Sequence, residues 1–136
     1  MHSRLEVTNL HSYYGDSHVL QGCSLTVEAE CTCVLGRNGM GKTTLMRSIM
    51  GLTPPRDGTV MLNGKDFTRA KPERVAQAGI GYVPQGRRLF PSLSVEEHLT
   101  LFHRSGKSSP GCTGPAGWTP QRVLELFPEL ASRRKV

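Results

Sequence analysis

Within the stretch CTCVLGRNGMGKTTL at 31–45, Gly36, Gly41, Lys42 and Thr43 meet the spacing G-x-x-x-x-G-K-[ST], with Gly39 as a further glycine inside it. The spacing has a mechanical reason. Glycines let the backbone curl so that successive N–H groups point inward around a phosphate, and a helix starting near Gly41 adds its positive dipole end. Lys42 can reach the β and γ phosphates of a nucleotide as a point charge, and the Thr43 hydroxyl is placed to ligate Mg²⁺. The chemistry implied is capture of Mg-ATP. Turnover would need in addition a positioned water and a general base.

The flanking residues supply what such a loop requires. Residues 31–35 form a short apolar run of the kind that makes a buried parallel strand, and KTTLMRSIMGL places Leu45, Ile49 and Leu52 at helical spacing, with Gly51 and Pro54-Pro55 as the stop. Upstream, RLEVTNL at 4–10 alternates as a strand does, and 18–30 offers a second strand. GTVMLNGKDF is a hairpin signal, with Asn63-Gly64 suited to a type I′ turn. KPERVAQAG predicts a short helix, and IGYV at 80–83 another buried strand. Ser94-Val95-Glu96-Glu97 is a capped helix start, residues 105–117 are a Gly/Ser/Pro-rich flexible surface loop, and Thr119-Pro120 opens a last amphipathic helix. This alternation predicts an α/β protein with an antiparallel β section at its N-terminus.

The 136 residues suffice for one domain of ordinary size. No apolar run approaches the roughly 18 residues of a membrane-spanning helix, and the N-terminus lacks the apolar core of a secretory signal, so a soluble, cytosolic chain is expected. The net charge of +6 comes mainly from twelve arginines spread along the chain rather than clustered among aromatics, which argues against a nucleic-acid partner. Cysteines 23, 31, 33 and 112 fit no zinc spacing; Cys31 and Cys33, two apart in an apparent strand, are expected as small buried residues on one face.

With these motifs in place the chain resembles the ATP-binding subunits of ABC transporters. The likeness runs from LEVTNLHSYYGDSHVLQGCSLTV through LGRNGMGKTTLMRSIMGL and DGTVMLNGKD to GIGYVPQGRRLFPSLSVEEHL. GYVPQGRRLFPSLSVEE and RVLELFPEL look most like the subunits serving branched-chain amino acid or urea uptake. The resemblance implies a P-loop NTPase fold of ABC type. It makes Tyr14, ahead of neighbouring Tyr13, the aromatic that stacks on adenine, and the nucleotide-binding set Tyr14, Gly36, Asn38, Gly39, Gly41, Lys42, Thr43 and Thr44. Gln85 matches the Q-loop glutamine, which reaches Mg²⁺ and the attacking water, so the metal would meet Thr43 and Gln85. The segment from Gly86 to His103, with Leu89 and Phe90, lies where relatives dock the membrane permease, although core packing explains those two residues equally well. Implied partners are ATP, transmembrane permease subunits and a second ATP-binding subunit, at the cytoplasmic face of the inner membrane.

Two family motifs have no match. No Ser-Gly-Gly occurs, and none of Asp16, Asp57 and Asp66 precedes a glutamate, so the signature and the catalytic Asp-Glu pair are absent. The switch histidine is missing too. Residues 1–136 are therefore expected to be the truncated N-terminal part of an ABC ATP-binding domain: antiparallel β section, P-loop core, Q-loop and the start of a helical subdomain, binding ATP without hydrolysing it. In the family arrangement two strands, one of them bearing Asp-Glu, lie between the P-loop strand and the Q-loop strand. Residues 31–35 and 80–83 would then keep unpaired edges here.

Overall fold

The computed structural model describes residues 3–28, 31–86, 88–102 and 119–135. The chain divides into two compact units, Met1–Tyr82 and Val83–Val136. In the first, β1 (Leu5–Tyr14), β2 (Ser17–Val27), β3 (Asp57–Leu62) and β4 (Lys65–Asp66) form an antiparallel sheet in the order β2-β1-β3-β4. The first strand runs four residues beyond the sequence expectation, because Tyr13 and Tyr14 pair with His18 and Ser17 across a two-residue turn. The last hairpin is as expected, with Asn63 and Gly64 both at positive φ, 50° and 76°.

One irregularity organises the sheet. Val7 and Leu10 are three apart and would face opposite sides of a regular strand, yet both are buried. A register shift between them, with Asn9 at φ 48°, turns Leu10 back toward the core. Opposite the bulge stands Gly58 at φ 92°, where a Cβ would strike the Asn9 carbonyl.

Helix α1 (Lys42–Ile49) covers this face. Its i, i+4 pairs Leu45/Ile49 and Thr44/Ser48 are buried, and the two aliphatic residues join Val7, Leu10, Leu20 and Val60 in one cluster. Each aliphatic side chain so buried contributes about 1.5–3 kcal/mol. The hydroxyls of Ser12 and Ser48 meet at 2.8 Å and tie the helix to β1 inside the apolar contact. Gly51, at φ 71°, ends the helix: its N–H donates to Ser48 O and that of Leu52 to Arg47 O, the two bonds of a Schellman motif. Leu52 therefore lies past the helix and is exposed rather than part of its stripe. Helix α2 (Pro72–Gln77) buries Val75 with Met50 and Phe67 in a second cluster.

Residues 31–35 and 80–83 depart from the expectation of buried parallel strands. Neither segment pairs, residues 31–35 are all exposed, and Leu35 and Val83 are 91% and 93% exposed. A parallel strand is buried only when neighbours flank it, and among the described residues the sole sheet is the antiparallel one. Cys31 and Cys33 are consequently exposed rather than buried, while Cys23 is half-buried; Cys112 lies outside the described residues.

The second unit holds α3 (Val95–Phe102), α4 (Pro120–Leu126) and α5 (Pro128–Ser132). Ser94 and Glu97 form a capping box: Glu97 N–H donates to Ser94 Oγ at 3.3 Å and Ser94 N–H to Glu97 Oε2 at 2.8 Å. Thr119 Oγ1 accepts from Arg122 N–H at the start of α4. Arg134 ties the unit together, its guanidinium 2.6 Å from the Glu96 carboxylate and its carbonyl accepting from Glu96 N–H. The Gly/Ser/Pro-rich segment at 105–117 lies outside the described residues. Among the described residues no helix is long and apolar enough to cross a membrane.

Candidate functional site

The loop from Gly36 to Gly41 leads directly into α1, whose N-cap is Gly41 at φ 85°. A Cβ there would sit 2.9 Å from Leu20 Cδ2 and 3.4 Å from the Val19 carbonyl, so glycine serves two needs, the left-handed turn and close approach to β2. Gly39 has φ 82° with nothing near its Cβ position. Here the requirement is conformational alone. No side chain caps α1 and its first turn holds no acid, so its first N–H groups keep their attraction for an anion.

Lys42 folds back along the loop, donating to Gly36 O at 2.6 Å and Arg37 O at 2.7 Å. These bonds use two of the three ammonium donors and fix the charge above the loop. Thr43 is exposed beside it and Asn38 lies on the loop's turn. Thr44 is buried and faces inward with Ser48.

Tyr14 ends β1, is 48% exposed, and has its hydroxyl 3.4 Å from Thr53 Oγ1. Hydrogen bonding from Thr53 chiefly, with Thr44 and Arg47 adding and slight burial opposing, draws the phenol below its ordinary pKa of 10.0. Arg47 Nε donates to the same Thr53 oxygen at 3.2 Å. Tyr14 is thus anchored to the helix that starts at the loop.

Tyr13 is placed differently. Its ring stacks on His18 with centroids 4.2 Å apart and planes 6° from parallel, and the Arg56 guanidinium carbon lies 4.3 Å from its centroid. Two groups so close to one ring must occupy opposite faces, which leaves neither free. The neighbouring His11 Nδ1 lies 3.0 Å from His18 Nε2.

The structure therefore brings Tyr14, Gly36, Asn38, Gly39, Gly41, Lys42, Thr43 and Thr44 into one unit. Gln85 belongs to the other, exposed between Val83 and Gly86. In that unit Leu89 and Phe90 are exposed rather than packed in a core, and Phe90 also stacks on His98 at 6.0 Å. Among the described residues no three His, Cys, Asp or Glu side chains gather as a metal site. Sequence reasoning did not find Thr53, Arg47, His18 or Arg56, which surround the two tyrosines and carry no motif.

The family model described as ABC transporter matches residues 20–135. The chain belongs to this family. It is 41% identical over 101 residues to the Nod factor export ATP-binding protein I of Cupriavidus metallidurans, covering 74% of this chain and 33% of that protein. It is 37% identical over 98 residues to a probable branched-chain amino acid transport ATP-binding protein LivF of Archaeoglobus fulgidus, covering 71% and 42%. Among solved structures it is similar to a nucleotide-free ATP-binding cassette from an ABC transporter, with a TM-score of 0.70, 26% identity, and coverage of 97% of this chain and 56% of that one. The ABC fold is thereby shown. The chain spans well under half the length of these two curated relatives, 33% and 42%.

Proposed function

We propose that the chain supplies the nucleotide-binding part of an ABC transporter ATP-binding subunit, taking Mg-ATP at the Gly36–Thr43 loop with Tyr14 beneath the adenine. The observation that carries the reading is the Lys42 ammonium held over the loop by two backbone carbonyls, with one donor free among the described residues, at the uncapped start of α1. Charge-assisted bonds to phosphate are the strong ones, and the helix dipole adds to them. Tyr14 is favoured over Tyr13 because Tyr13 has both faces covered. Stacking on adenine contributes roughly 1–3 kcal/mol, chiefly as affinity. Mg²⁺, held by the Thr43 hydroxyl, would neutralise phosphate charge.

In this reading the 136 residues bind ATP and do not turn it over, since no Asp-Glu pair is present to hold a base at the attacking water. In the working transporter the subunit pairs with a second ATP-binding subunit and with transmembrane permease subunits, peripheral to the cytoplasmic face of the membrane. The exposed Leu89 and Phe90 suit contact with a permease. The cargo we favour is a branched-chain amino acid or related small solute, in keeping with GYVPQGRRLFPSLSVEE and with the LivF relative. Export of another cargo is the second reading, favoured by the Nod factor export relative. Co-purification with one or the other permease separates them.

Steady-state phosphate release on the purified chain tests the binding-without-turnover reading. Background rates are expected, alongside saturable binding of a fluorescent ATP analogue that unlabelled ATP displaces. Release at rates of a complete ABC ATPase, abolished by Lys42→Ala, would overturn it.

A further inference from the structure

Arg56 stands immediately before β3 and reaches across to the turn between β1 and β2. Its Nη2 donates to the Gly15 carbonyl at 3.0 Å, and its guanidinium carbon lies 4.3 Å from the Tyr13 ring centroid. The residue is itself fixed from both sides. Its N–H donates to His11 O at 2.9 Å, and its carbonyl accepts from Arg69 Nη2 at 3.2 Å. The turn it holds projects into open space, since a Cβ on Gly15 would meet nothing within 4 Å. Gly15 is also the residue that directly follows Tyr14.

We infer that Arg56 is a positioning residue for the base-binding end of the nucleotide site, bracing Gly15 and Tyr13 so that Tyr14 presents its ring at a fixed angle beside α1. The inference rests on the reading of Tyr14 as the base platform. The guanidinium suits the task because one planar group can lie on an aromatic face and donate at its edge, which a lysine ammonium cannot do. A stacking platform is effective only if its plane is set before the base arrives, because ordering it on binding subtracts from affinity. Among the described residues no hydrogen bond links the phosphate loop to Arg56, whose side chain donates instead to Gly15 O.

The test compares two probes, Mg-ATP and inorganic tripolyphosphate with Mg²⁺, which share the phosphate chain but not the base. Calorimetric titrations would use wild type, Arg56→Ala, Arg56→Lys and Lys42→Ala. Arg56→Ala is expected to bind Mg-ATP about three- to tenfold more weakly, with tripolyphosphate unchanged within about twofold. The unchanged probe also shows that the variant is folded. Arg56→Lys should fall between wild type and Arg56→Ala, and Lys42→Ala should lose both ligands. An equal loss of both probes in Arg56→Ala, or no loss of either, would overturn the brace, while loss of both probes in Lys42→Ala would leave the phosphate-site reading standing. If Lys42→Ala held tripolyphosphate as well as wild type, the nucleotide reading itself would fail, and this inference with it.

Discussion

Removing either hydroxyl of the Ser12–Ser48 pair should cost more than removing both would lead one to expect. Ser12 is 0% and Ser48 1% exposed, their oxygens are 2.8 Å apart, and the pair lies within the apolar contact between β1 and α1. Ser48→Ala leaves the Ser12 hydroxyl buried without a partner, a penalty of about 1–3 kcal/mol, and Ser12→Ala does the same to Ser48. The double variant removes the orphan along with the bond, so it should cost less than the sum, with a coupling of about 1–2 kcal/mol. Urea denaturation followed by circular dichroism reads this directly. With a slope of roughly 2 kcal/mol/M, a 2 kcal/mol loss moves the midpoint by about 1 M. If the two single losses add to the double within about 0.5 kcal/mol, the hydroxyls do not act as a pair and α1 is held by its aliphatic face alone.

Gly58→Ala should abolish β1–β3 pairing, since at φ 92° its Cβ would lie 2.6 Å from the Asn9 carbonyl carbon; Gly64→Ala, at φ 76° with open space around it, should cost only about 1–2 kcal/mol. Equal effects in the same urea assay would show that the bulge does not need the glycine. The Glu97 carboxyl is held below its ordinary 4.5 by the Ser94 N–H and then the Ser94 hydroxyl. A depressed carboxylate stabilises α3 above its unfolded pKa, and that contribution fades as pH falls through the lower folded value. An NMR titration should therefore find Glu97 titrating below 4.5, with the α3 amides losing protection only beneath that pH; titration at or above 4.5 would mean the capping box is not formed.

What could be read from the sequence was what is decided within a few residues. The loop glycines, the start of α1, the Asn63-Gly64 turn and the caps at Ser94 and Thr119 each follow from local backbone needs, and each is where the pattern placed it. The bulge at Asn9 was not legible, because a register shift depends on the glycine that faces it 49 positions later. Residues 31–35 and 80–83 mark the same limit from the other direction. Their apolar runs state a demand for burial, and among the described residues no neighbouring strand meets it. The surroundings of the tyrosines were equally hidden, since Thr53 is 39 positions from Tyr14 and Arg56 is 41 from Gly15.

Lys42 and the loop it crosses are central to the proposed nucleotide site. A calorimetric titration of Mg-ATP into wild type and Lys42→Ala tests it directly. The expected result is one site per chain in wild type and a loss of more than about 1.5 kcal/mol, over tenfold in affinity, in the variant. Equal affinity in the two proteins, or no heat in either while both remain folded, would contradict the assignment of this loop as the nucleotide site.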